Sequence, residues 1–307
     1  MLTNMRFLIV AAVVLSIAAC TGGGAGASPA GSSDGSLSPT ETPIDSPTFG
    51  AIDHPTGATD VVLRFEEGGG FVMPAFAATM VPWFTLYGDG TIVFRNPNLP
   101  APEPQGSIYT QPPMRTAKLS EEQIQNLLAY ALTEGGLAGA RDSYENMQVA
   151  DASTAIFTIT ADGHTKKVSV YALGMEPPPA GQPGGADGPA RLAFQKLAAK
   201  LTDIDSGGTI PSDVYQPTAY RGLLMDGTGM TAPDIKDWPW KALKVADFAP
   251  DADPNGLQFP HRTMTPAEVE ALGVTGPEGG VQGALLHGTD GKTYSFSLRP
   301  LLPDEKA

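Results

Sequence analysis

Few residues in this chain are of types that do chemistry, and their spacing narrows what that chemistry is. Cys20 is the sole thiol among 307 residues. It ends an apolar run and has no cysteine partner, so neither a disulfide nor a cysteine metal site is indicated. The four histidines, His54, His164, His261 and His287, are far apart, and none falls in an H-x-x-x-H or His/Asp cluster. A zinc site needs converging ligands, and a nucleophile needs a base in contact with it. A hydrolase would therefore require the fold to bring His261 or His287 against a carboxylate or hydroxyl in a concave pocket. Asp251-Ala252-Asp253-Pro254-Asn255-Gly256 opens like a calcium loop, but Arg262 stands where the bidentate glutamate belongs, so an acidic surface turn is expected. Gly22-Gly23-Gly24 and Gly68-Gly69-Gly70 lack the spacing and the Lys-Ser/Thr partner of a phosphate loop. No catalytic, cofactor-binding or metal-binding residue is assigned, and the chain is expected not to be an enzyme.

Two apolar stretches remain as binding candidates. Trp238-Pro239-Trp240 reads either as an aromatic platform for sugar or peptide or as a corner packed on the core, and packing is the favoured reading. Residues 70–84, GFVMPAFAATMVPWF, are markedly apolar for a connection. They are expected to cross a sheet face, the alternative being an exposed patch for a partner.

The start of the chain supplies an address. Arg6 gives a positive n-region, residues 7–17 an apolar h-region, and Ala18 and Ala19 a small-residue site, the layout of an export signal over 1–19. Ile17-Ala18-Ala19-Cys20 resembles the lipobox of bacterial lipoproteins. The resemblance implies that the Cys20 thiol receives a diacylglycerol, that the signal is cut before it, and that two or three acyl chains hold the protein on the extracytoplasmic face of a membrane. Each buried methylene adds roughly 0.8 kcal/mol to such an anchor. Residues 20–56 are rich in Gly, Ser, Thr, Pro and Ala and read as a flexible tether, with His54 inside it. The net charge of −14 argues against nucleic acid as a partner. The partners expected are the membrane, through the lipid that the lipobox resemblance implies on Cys20, and a protein in the envelope.

The rest of the sequence alternates strand and helix grammar. Val61, Leu63 and Phe65 have the period of a half-buried strand. Strand-rich runs flank Asp89-Gly90, Asp162-Gly163 and Asp290-Gly291, each a hairpin signal. Ser120 and Gln123 form a capping-box pattern, with Leu119 and Ile124 as its hydrophobic staple. Thr265, Glu268, Met264 and Val269 repeat the device around Pro266. A helix from about 190 carries Phe194, Leu197 and Leu201 on one stripe. The expected class is α+β, with antiparallel sheets covered by helices on one face.

The segments PWFTLYGDGTIVFR, AKLSEEQIQNLLAYALTEGGL and DSYENMQVADASTAIFTITADGHTKKVSVYALG resemble a small domain family of unknown function from exported and lipid-anchored bacterial proteins. The same layout is similar to emfourin, an inhibitor of thermolysin-like metalloproteases. That resemblance implies that a loop such as 97–114 would block an enzyme cleft. The ending SLRPLLPDE resembles the tail of actinobacterial secreted proteins. A shift to Gly, Pro, Ser and Thr near 206 divides an α+β module at 57–205 from a smaller one at 206–307. The smaller module reads either as a degenerate repeat of the first or as recurrence of common turn chemistry. The function expected is a non-catalytic, lipid-anchored envelope protein acting as a binding or assembly module, the alternative being inhibition of an extracellular metalloprotease.

Overall fold

Alternation along the chain sorts side chains onto two faces of two sheets. The computed structural model describes residues 51–96, 99–100, 102–179, 181–182, 184–205, 210–249 and 259–305. In chain order its first half contains β1 (Val61–Gly68), α1 (Pro74–Ala78), β2 (Phe84–Tyr87), β3 (Thr91–Phe94), β4 (Tyr109–Thr110), β5 (Arg115–Lys118), α2 (Glu121–Leu132), β6 (Ser143–Tyr144), β7 (Thr154–Ala161), β8 (His164–Tyr171) and α3 (Gly188–Thr202). The second half contains β9 (Asp213–Val214), β10 (Tyr220–Asp226), β11 (Lys236–Asp237), β12 (His261–Met264), α4 (Pro266–Glu270), β13 (Val281–His287) and β14 (Thr293–Pro300). The class is α+β, with two sheets that are mostly antiparallel.

The first sheet has eight strands in the order β6-β8-β7-β1-β2-β3-β5-β9. Leu63, Phe65, Phe84, Leu86, Ile92, Phe94 and Phe157 face α2 and α3, which cover that side with Ile124, Leu127, Leu128, Phe194, Leu197 and Leu201. Phe65 and Phe157, partners across β1 and β7, stack with ring centroids 4.9 Å apart. The hairpins follow their turn residues. Asp162 and Gly163 both have positive φ, as a two-residue type I′ turn requires, and they join β7 to β8 with Ala161 opposite His164. Asp89 accepts hydrogen bonds from the Thr91 amide at 2.9 Å and from Lys118 Nζ at 2.7 Å, which pins the turn between β2 and β3.

The start of α2 is built as its sequence requires. Ser120 Oγ accepts from the Gln123 amide, Gln123 Oε1 accepts from the Ser120 amide at 2.8 Å, and Leu119 and Ile124 are both buried beside them. Ser120→Ala is expected to cost about 1 kcal/mol of stability in urea unfolding. No change would mean the box is idle. Arg191 of α3 is a departure from the expected apolar stripe. It is buried, and its Nη2 donates to the carbonyls of Tyr171 and Ala172, closing the end of β8.

The second sheet runs β11-β13-β14-β10-β12, with β4 also paired to β13. Its core joins Tyr220, Leu224, Met264, Val269, Leu286, Phe296 and Leu298 to Trp240 and Phe248. The segments 57–205 and 206–307 each build most of one sheet, and each lends one short strand to the other. The strand β4 comes from the first half, and β9, past residue 206, pairs with β5. Both halves carry a capped helix and an Asp-Gly hairpin, yet β1 pairs with the first strand of its hairpin and β10 with the second strand of its own.

The residues just before β1 depart from what composition implies. Residues 52–55, placed by sequence in the tether, are bound to the first sheet and α2. Gln125 makes two hydrogen bonds with the Ile52 backbone, the Asp162 amide donates to the Asp53 carbonyl, and His54 Nε2 lies 3.3 Å from Glu121 Oε1. Composition could not show this, because the partners of these backbone groups lie about seventy to a hundred residues away.

Candidate functional site

An unusually long connection builds the most prominent concavity. Adjacent antiparallel strands such as β1 and β2 can be joined by a few residues, whereas 69–83 is long enough to carry a short helix of its own. This one leaves the first sheet, crosses to the second and returns. Its start is held by the Phe71 amide on the Asp151 carbonyl, and Thr79 Oγ1 accepts from Gln282 Nε2 at 3.1 Å. The helix α1 sits within this strap.

The floor beneath it is set by strand register. Leu224, Phe296 and Ala284 are paired across β10, β14 and β13 and enter the core. One residue along, Met225, Ser295 and Leu285 form the matching row on the opposite face. The serine between two large apolar side chains makes that row a trough, and Ser297 continues it. At Gly283 the ladder between β13 and β14 shifts register, with φ +77°, and a side chain there would meet the Ser107 carbonyl oxygen at 2.5 Å. Such bulges often lie beside functional sites.

Walls from three segments enclose a cavity of about 800 Å³ over this floor. Val72, Met73 and Phe76 of the strap form one side, and Ser107, Tyr109, Met230, Thr231 and Ala232 complete it. The volume lies within the ~300–1,000 Å³ range of small-molecule sites. Among the described residues that line it, the Tyr109 phenol is the only ionisable side chain. The lining is apolar at its open side, where Met73 is 71% exposed, Tyr109 55% and Met230 48%. The apolar segment 70–84 makes the crossing expected of it and leaves part of its apolar surface exposed.

The other candidates lie elsewhere. Cys20 and the acidic turn at 251–256 are outside the described residues. Trp238 and Trp240 pack edge to face at 5.0 Å, and their indole N–H groups donate to the Leu243 and Glu268 carbonyls, so the pair forms a corner of the second core. None of the four histidines lines the large cavity. His54 meets Glu121, His164 opens β8 at the tip of its hairpin, and His261 and His287 lie at strand ends 26 positions apart in sequence. Among the described residues no group of three or more His, Cys, Asp or Glu is placed to hold a metal. The segment 105–111, proposed from sequence as part of a cleft-blocking loop, is sewn into the second sheet. Ile108 is buried, Gln105 makes a reciprocal pair with the Thr275 backbone, and the Gln111 amide donates to the Gly280 carbonyl. Backbone pairing with β13 holds this segment on the second sheet, with Ile108 and Thr110 buried and Tyr109 left exposed, and the Pro-rich composition gave no sign of it.

Sequence reasoning missed Met225, Met230, Leu285 and Tyr109 as site residues. Each is an ordinary apolar residue on its own, and strand register, with the turn after β10 that carries Met230, places them together. The signal that was available is the length and apolarity of 69–83. A scan against protein-family models, a search of curated proteins and a search of solved structures each return no match to this chain.

Proposed function

We propose that this chain is a non-catalytic binding module of the cell envelope, anchored by lipid at Cys20 and binding through the groove beneath the 69–83 strap. The observation that carries the reading is the concentration of exposed apolar surface. Among the described residues, ten large hydrophobic side chains are exposed to solvent; five of them (Val72, Met73, Phe76, Tyr109 and Met230) line the groove, and a sixth, Phe71, directly precedes Val72. Solvent-exposed apolar patches of this kind mark interaction sites. The methionines support the same reading, because their unbranched, polarisable side chains adapt to an apolar occupant. Support for the anchor is the signal layout that ends at Cys20.

Two measurements test the two parts. Cys20→Ser is expected to move the protein from the membrane to the soluble fraction and to abolish its labelling by a radioactive fatty acid. Retention in the membrane would sink the anchor. Nile red is expected to fluoresce on binding the native Cys20→Ser chain and to lose most of that signal with Met230→Asp, a rim change that leaves the thermal midpoint unaltered. Equal fluorescence from both chains would place the dye elsewhere and remove the groove as the binding surface.

A further inference from the structure

We infer that the occupant of the groove is the acyl chain of a membrane lipid, an inference that rests on the groove being the binding surface proposed above. Charge and hydrogen-bonding capacity decide between occupants. A peptide would carry an N–H and a C=O at every residue into the site, and each would need a partner once water is excluded. Among its described lining residues the groove offers only scattered partners, the side-chain hydroxyls of Tyr109, Thr231, Ser295 and Ser297, because Gln282 Nε2 already donates to Thr79 and the amide and hydroxyl of Ser107 are engaged with Asp234 and the Gly283 carbonyl. A hydrocarbon needs none. Among the described residues the lining carries no charged side chain, which removes the ion pairs that a basic or acidic peptide, or a lipid headgroup, would require inside the site. The headgroup would stay at the open side, where Met73, Tyr109 and Met230 face solvent, while the chain lay along the Met225-Ser295-Leu285 trough. A chain tethered to a membrane has such lipids as its nearest apolar ligands.

The test uses the full chain carrying Cys20→Ser, purified without detergent, with Nile red in the groove as reporter. Decanoate, dodecanoate, tetradecanoate and hexadecanoate are titrated as competitors. Displacement is expected, with affinity tightening by about fourfold for each methylene that the groove buries and levelling once it is full. Met73→Asp and Met230→Asp, both at exposed rim positions, should weaken hexadecanoate at least tenfold with an unchanged thermal midpoint. Binding that does not vary with chain length, or that both variants retain, would overturn the inference. So would Nile red that binds in a Met230-dependent way but is displaced by an apolar peptide and by no fatty acid. In that event the acyl assignment falls and the binding module stands. If Nile red does not bind the groove at all, both fall together.

Discussion

Asp304→Asn is expected to lower folding stability by about 3 kcal/mol, the scale for removing one member of a largely buried ion pair and leaving the other charge uncompensated. Asp304 lies next to the chain end, yet its Oδ1 accepts from Arg64 Nη2 and from the Tyr87 hydroxyl, both at 2.7 Å, on the face of the first sheet opposite the helices. Its neighbour Glu305 takes a two-point contact from Arg299 of β14 and a hydrogen bond from the Leu302 amide. The segment after β14 therefore fastens the second sheet to the first, with Leu302 packed against Val81, Tyr87, Val93 and Met114. Guanidine unfolding of Asp304→Asn and of Arg64→Met measures the effect, and the double variant should lose less than the sum. Strict additivity would show that the two side chains are not coupled.

The same carboxylates set a pH dependence. Burial pushes both carboxyls up, but the Arg64 and Tyr87 hydrogen bonds and the Arg64 charge outweigh it and hold Asp304 below its ordinary value of 3.8. For Glu305 burial is likewise outweighed, by Arg299 and the Leu302 amide, which hold it below 4.5. A carboxyl lowered in the folded state contributes stability that is present above its unfolded value and is lost as the pH falls through its folded value. Stability should thus decline with acidification below about pH 4.5, and the Asp304→Asn, Glu305→Gln chain should show a shallower decline. An unchanged slope would assign acid sensitivity to other groups.

Trp240→Ala is the second large effect, expected to cost about 4 kcal/mol as a buried tryptophan emptied to a methyl. The indole packs against Trp238, Phe248 and Phe296 with centroids 5.0, 6.3 and 5.3 Å away. It also donates to the Glu268 carbonyl at 2.7 Å, tying the residues between β11 and β12 to α4. Trp240→Phe keeps most of the apolar contact and leaves that carbonyl without its donor, so about 1–2 kcal/mol is expected. Denaturant unfolding followed by near-ultraviolet circular dichroism reads both. A Trp240→Ala chain as stable as the parent would mean that the corner is peripheral to the second core. With total stabilities of about 5–15 kcal/mol common for domains, the alanine variant should be partly unfolded at modest denaturant.

Local grammar was legible in the residues alone. The boxes at Ser120 and Thr265, the Asp-Gly turns, the alternation in β1 and β14 and the α+β class all depend on side chains a few positions apart, and such short-range geometry is the same wherever the chain goes. The expected core partners of α2 were readable for the same reason, because one stripe of a helix must be buried.

The groove was legible only as an apolar connection of unusual length. Residues 225, 285 and 295 become neighbours through register across three strands, and register depends on pairings among residues tens of positions apart. The exchange of β4 and β9 between sheets, the capture of residues 52–55 and the grip of Asp304 on Arg64 share that cause. Each is a contact between sequence-distant groups whose partners are chosen by packing. Composition and periodicity determined which pieces would form and which of their faces would be apolar. The tertiary structure decided which apolar face was left open, because only the assembled sheets show how much of each face the rest of the chain can cover.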